Sequence, residues 1–207
     1  MSNTASIDTK AQILNVAERL IGEKGFSGTT LRNIVSEAEV NLAAVHYHFG
    51  SKEELFRAVV ERIAVPVVAR QLSLLDQVQT DAKQPSVEDI LTAFLKPPLE
   101  FVLGDEQFRL IRAQFMGRCR TEPEPIQSIA QQAFSASTTA FLDALQRALL
   151  DQSRSQLQWK LDLVIATLVR VQMEAGQPHA LLRNAQPEDI QRAISELVMF
   201  LSAGMKT

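Results

Sequence analysis

Residues 29–55 read TTLRNIVSEAEVNLAAVHYHFGSKEEL, and this stretch decides the fold. It encodes two short helices joined by a tight turn at Glu39-Val40-Asn41, followed by a helix restart. The second of these helices is built on small residues and ends in aromatics and imidazoles. Leu31, Ile34, Val35 and Ala38 repeat at helical spacing and are expected inward, as are Val45 and Phe49. Gly50 closes that helix, and Ser51-Lys52-Glu53-Glu54 forms a capping box ahead of Leu55, Phe56, Val59, Val60 and Ile63. The face left outward carries Leu42, Ala43, Ala44, His46 and Tyr47. Small side chains flanked by hydrogen-bond donors suit close approach to a large partner, and the major groove of duplex DNA fits that face.

Working outward, every periodic segment reads at 3.6 residues and none alternates over a strand length. Asp8 or Thr9 caps a first helix with the stripe Ile13, Leu14, Ala17, Leu20 and Ile21; Gly25 stops it, and Phe26 follows as a core plug. Helix four runs from Lys52 to about Val78, with Pro66 a kink or break. Asp81–Pro85 is a loop, and Ser86 to Asp89 caps a helix to about Leu103. Gly104-Asp105 separates it from a helix over 106–119. Thr121–Pro125 opens a long helix to about Asp151. Ser153 or Ser155 caps the next, to Ala175, which Gly176 and Pro178 end. Pro187, with Glu188 and Asp189 behind it, starts a last helix to about Ala203. The expectation is an all-α chain of nine to ten helices: a three-helix helix-turn-helix DNA-binding head over 1–52, then a larger helical bundle over 53–207.

Bulk properties narrow the function. The chain has 207 residues, is 46% apolar and 22% charged, and carries a net −3; one or two domains with a substantial core follow. Up to Arg62 seven basic residues face eight acidic ones, an unusual balance for a nucleic-acid binder. DNA affinity then rests on a few placed donors and on two subunits, and is salt-sensitive. A lone cysteine, Cys119, with no signal peptide or membrane-length apolar run, points to a cytoplasmic protein with no membrane partner. Three histidines and eight glycines offer no nucleophile–base pair, phosphate-cradling loop or metal spacing, so no enzyme is expected. His46 and His48, two residues apart, point to different helix faces; no metal and no cofactor are assigned.

Thr29-Thr30, His46-Tyr47-His48-Phe49 and Gly50-Ser51-Lys52-Glu53-Glu54 together resemble the DNA-binding domain of the TetR family of bacterial repressors, over about residues 9–62. The resemblance implies an all-α homodimer with a variable C-terminal ligand-binding domain. It also implies site residues: Thr29 or Thr30 on phosphate at the start of helix two; Asn41, Leu42, Ala43 and Ala44 facing the groove beside His46; Tyr47 and His48 on backbone phosphates; and Lys52 as a charged phosphate contact. Family members often carry Lys or Arg near Leu42. An apolar side chain there shifts base reading towards thymine methyls and DNA shape.

Val40–Val45 and the tail from Glu196 to Lys206 are similar to the fatty-acid-responsive PsrA-type branch, which implies a long-chain fatty acid or acyl-CoA as effector. Another hydrophobic compound, drug-like or aromatic, and a helical protein-binding adaptor are the alternatives. Phe94, Phe101, Phe108 and Phe115 fall seven apart. A greasy cavity is expected around Phe101, Phe108, Phe115, Met116, Phe134 and Phe141. Arg109, Arg112, Arg118, Arg120 and Arg170 are candidates for its polar mouth, with Arg112 and Arg170 chosen. The last two long helices suit an intersubunit four-helix bundle, making a homodimer that reads a palindromic operator at half-sites about 34 Å apart.

Overall fold

The computed structural model describes residues 2–81, 85–104 and 106–207. Nine α-helices and two short 3₁₀ turns, with no strand, make up the described residues. They are α1 (Ser2–Gly28), α2 (Leu31–Glu37), α3 (Leu42–Phe49), α4 (Lys52–Asp81), α5 (Val87–Glu100), α6 (Arg109–Arg118), α7 (Ile126–Ala148), α8 (Arg154–Met173) and α9 (Pro187–Lys206). The helix begins at Ser2, so Thr9 does not open it; the Asp8 side chain lies outside the described part of the chain, as do residues 82–84 of the expected loop and Asp105.

Local sequence sets the head. Gly25 sits at φ 75°, a conformation that favours glycine, and there the chain leaves α1's helical path. The Thr30 hydroxyl accepts from the Asn33 N–H while the Asn33 side chain accepts from the Thr30 N–H, closing a capping box at the start of α2. Asn41 caps α3 through Ala44 N–H at 2.8 Å. Ile13, Ala17, Leu20, Ile34, Val45 and Leu55 are buried together, each large one contributing about 1.5–3 kcal/mol. Phe26 packs edge-on against Phe56 at 5.4 Å.

In the body, α4 packs on α5 and α7, α9 on α5, and α6 on α8. Pro66 does not break α4, which continues to Asp81. Pro97 and Pro98 do shape α5: the helix ends at Glu100, three residues before the expected Leu103, and passes into a 3₁₀ turn. Pro98 has no N–H for the Phe94 carbonyl four residues back. That buried carbonyl is met instead by Gln71 Nε2 of α4, at 2.7 Å.

Head and body are joined by more than α4, the only link apparent in the sequence. Helix α1 lies along α6, so closely at Gly22 that an added Cβ would stand 2.9 Å from Ile111. Buried Glu18 of α1 pairs with Arg62 of α4 and with Arg112 Nε of α6 at 2.9 Å. Two arginines share this buried carboxylate, so losing either leaves it half-compensated and losing both leaves a bare buried charge. Past α6, the Glu122 carboxylate accepts from Phe26 N–H at 2.9 Å.

Candidate nucleic-acid interface and core cavity

Helix α3 turns Val45 and Phe49 inward, and its spacing then forces Leu42, Ala43, His46 and Tyr47 outward, with Ala44 and His48 half-buried at the edges. Tyr47 is 83% exposed and rests edge-on against His48 at 5.1 Å. His46 Nδ1 lies 2.7 Å from the Gly50 carbonyl oxygen, which orients the ring at the end of α3. The Asn41 carbonyl oxygen is used by the cap, leaving its amide nitrogen for a partner.

Two expected phosphate contacts are corrected. Thr29 is fully buried, and its hydroxyl is shared between the carbonyls of Gly25 (2.9 Å) and Leu20 (3.1 Å). It closes the end of α1, and Thr30 is the exposed residue of the pair. Lys52 turns inward: its ammonium donates to the Phe26 carbonyl at 2.6 Å and lies 3.9 Å from the Phe26 ring centroid. Burial lowers its pKa, while Glu53 and Glu122 oppose the shift. Both backbone polar groups of Phe26 are therefore held by charged side chains from other elements. Arg19, Arg57 and Arg62 are also engaged, by Glu23 and Glu37, by Glu54, and by Glu18. Among the described residues, exposed Lys10, Lys24 and Arg32 are the head's basic groups without a carboxylate partner. Arg32 stands on α2, where the sequence alone gave no reason to select it.

A cavity lies between α4, α5, α6, α7 and α8, walled by Val60, Ile63, Phe94, Phe115, Met116 and Leu168. Its free room, about 20 Å³, takes roughly one water molecule. Of the expected effector residues, Phe115, Met116 and Phe134 line it. Phe141 is fully buried behind the wall, edge-on to Phe94 at 5.0 Å. Phe101 and Phe108 do not reach the cavity; each is half-buried within one of the two 3₁₀ turns. Arg112 is committed to Glu18, with the Phe101 ring at 5.5 Å. Arg170 is 73% exposed and paired with Glu174, so it is no mouth of this cavity. It lines a separate open groove of about 800 Å³ between α7 and α8.

Two family models match the chain: "Bacterial regulatory proteins, tetR family" over residues 13–59, and "Tetracyclin repressor-like, C-terminal domain" over residues 92–204. The second alone covers more than half of the sequence. The chain belongs to the TetR family. It is therefore a helix-turn-helix, DNA-binding transcription regulator and not an enzyme. The nicotine-responsive transcriptional repressor HdnoR of Paenarthrobacter nicotinovorans is 36% identical over 64 residues, 31% of this chain and 33% of that protein. The transcriptional regulator AcrR of Shigella flexneri is 29% identical over 127 residues, 61% of this chain and 55% of that one. The chain thus spans about a third to a half of these relatives. The fatty acid degradation regulator FadR of Bacillus halodurans shares the fold, with a TM-score of 0.71 at 13% identity over 95% of both chains.

Within this TetR-family fold the polar groups at the cavity are Gln71, Gln172, Cys119, Ser137 and Arg120. Gln71 is 2% exposed, and with Nε2 spent on Phe94 its Oε1 has no hydrogen-bond partner. Arg120 follows α6, its guanidinium 4.3 Å from the Phe134 ring centroid. Burial lowers its pKa from the ordinary value, and Cys119 opposes the shift. The same burial raises the Cys119 thiol to about 11. Periodicity cannot single out Gln71 as a cavity residue; the signal that bears on it is Pro97-Pro98, which orphans a carbonyl that some other side chain must meet.

Proposed function

We propose that the chain is a repressor that binds a palindromic operator as a homodimer and is released by a small apolar effector. The observation that carries the reading is the outward face of α3, where Leu42, Ala43, His46 and Tyr47 stand clear of the head's own core. Asn41, Thr30 and His48 flank this face, and Lys10, Lys24 and Arg32 supply charge towards phosphates. The division of labour follows residue 52: residues 1–52 read DNA, and 53–207 bind the effector and the second subunit.

The homodimer reading is supported by a second apolar stripe. Trp159 and Leu163 share one exposed face of α8, and Met199 and Phe200 are 67% and 73% exposed on α9. A lone subunit rarely leaves so much large apolar surface in water. A twofold mate covering it gives a four-helix bundle and duplicates α3. No helix among the described residues is long and apolar enough to cross a membrane. The cytoplasm is the location proposed, because a repressor works where its operator lies.

A long-chain fatty acid or acyl-CoA is the effector class proposed, supported by the apolar cavity walls and by the fold shared with a fatty acid degradation regulator. The closed cavity must open to admit it, and the walls that part include α6, which also holds α1. An effector preferring the opened conformer by several kcal/mol then shifts the heads.

The test is a mobility-shift assay on palindromic duplexes selected by the protein itself. Tyr47→Ala is expected to weaken binding about tenfold to a hundredfold with an unchanged melting temperature, since Tyr47 is solvent-exposed. Full affinity in that variant, or a mass measured by light scattering that corresponds to one subunit, overturns the reading. Phe200→Glu in α9 is expected to shift the protein to monomer.

A further inference from the structure

The cavity and the α7–α8 groove share two lining residues, Arg120 and Ile165. These side chains form the partition between a nearly filled apolar core and a space open to solvent. Arg120 is an odd choice for a partition. It is half-buried, its guanidinium lies over the Phe134 ring, and among the described residues no carboxylate pairs with it. Half-buried at the edge of the groove, this guanidinium keeps only part of its hydration and has no counter-ion, so an arriving anion is drawn to it. The second unmet group is Gln71 Oε1, buried at the cavity on α4, an acceptor with no donor. Its presence is explained by the orphaned Phe94 carbonyl; its bare oxygen is not.

We propose that this site takes a monocarboxylic acid whose apolar chain carries a hydroxyl group: the carboxylate pairs with Arg120 and the hydroxyl donates to Gln71 Oε1. This rests on the effector reading above and narrows it. The planar guanidinium matches a carboxylate in a two-bond fork. A polyanion such as an acyl-CoA head is disfavoured, because the groove beside Arg120 offers Asp162 as well, and its other arginine, Arg170, is already paired with Glu174. The apolar chain lies among Val60, Ile63, Phe115 and Leu168 once the partition swings aside. Arg120 stands two residues from Glu122, whose carboxylate grips Phe26 N–H in the head, so an anion at Arg120 acts on the turn that holds the head.

The probes are dodecanoate, 1-dodecanol and dodecanoates hydroxylated at successive carbons, titrated calorimetrically into the full chain, with operator release followed in parallel. Dodecanoate is expected to bind at least about tenfold tighter than the alcohol, and one hydroxylated isomer at least about tenfold tighter than dodecanoate. Arg120→Met is expected to abolish the preference for the acid while melting no lower than wild type, since it removes an unpaired cation. Arg120→Lys keeps part of the preference. Gln71→Met removes the preference for the hydroxyl.

Equal binding of acid and alcohol, or unchanged dodecanoate affinity in Arg120→Met, overturns the proposal. So does a hydroxylated series that binds no better than the parent acid. Operator release by neutral or cationic apolar compounds alone overturns this proposal and leaves the effector reading standing. Release by no compound of any class ends that reading itself.

Discussion

At the scale of single residues, burial reassigns side chains whose sequence context looks alike. Thr29 and Thr30 are neighbours with the same hydroxyl. One is sealed between two carbonyls of α1 and the other caps α2 from the surface. Thr29→Val is expected to cost about 1–2 kcal/mol of stability in a denaturant titration, since it leaves buried carbonyls unmet. Its effect on operator affinity should be no larger than that loss explains. Cys119 is likewise fixed by its surroundings, 4% exposed with Sγ 3.2 Å from the Met116 carbonyl. Its thiol is raised to about 11 from an ordinary 9.0. The folded state thus holds a proton that the unfolded chain has begun to lose above pH 9. The contribution to stability is complete below that pH and falls as pH rises towards 11. At pH 8 a disulfide reagent should label native Cys119 at least about a hundredfold more slowly than it labels the chain in urea. Equal rates would mean that the thiol is open to solvent.

At the scale of elements, α5 shows how a helix-breaking pair creates a distant requirement. Pro98 withdraws the N–H that would meet Phe94, and Gln71 on α4 supplies a replacement from across the core. The two positions should be coupled. Gln71→Leu is expected to cost about 1–3 kcal/mol in the wild-type background. In a Pro98→Ala background the cost should be much smaller, because the alanine restores the backbone donor. A double-mutant cycle by urea unfolding measures this, and additive effects within about 0.5 kcal/mol contradict it. The turn between α6 and α7 has the same long reach, with Arg120 on the cavity side and Glu122 on the head side. Helical periodicity assigns both α6 flanks to generic packing, since neither residue's partner is near it in sequence.

At the scale of the whole molecule, charge decides how the protein holds DNA. The head's basic and acidic residues nearly balance, and most of its basic groups are tied internally. Lys10, Lys24 and Arg32 remain, three per head and six per dimer. Since each neutralised phosphate contributes a slope of about −0.9, the log–log dependence of operator affinity on salt should be no steeper than about −5. A slope near −10 would require charges that the head does not present. Base contacts by an apolar Leu42 and small alanines then carry a large share of discrimination, along with DNA shape.

Sequence by itself determined the helical class, the three-helix head, the turn at Glu39-Val40-Asn41, the stop at Gly50 with the Ser51 cap behind it, and the outward face of α3. Those features are local: caps act within three residues, and a 3.6-residue period fixes which side chains share a face. In sequence context Lys52 reads as a phosphate contact and Arg112 as an effector contact, whereas the fold uses one to anchor Phe26 and the other to neutralise Glu18. Their partners lie 26 and 94 positions away along the chain, beyond the reach of any local pattern. The same holds for the cavity, where seven-residue phenylalanine spacing was a poor guide because α5 ends early and the 3₁₀ turns rotate Phe101 and Phe108 off its wall. Tertiary packing alone decided which charges are spent in holding the molecule together and which remain for a partner, because that choice depends on which helices are brought side by side.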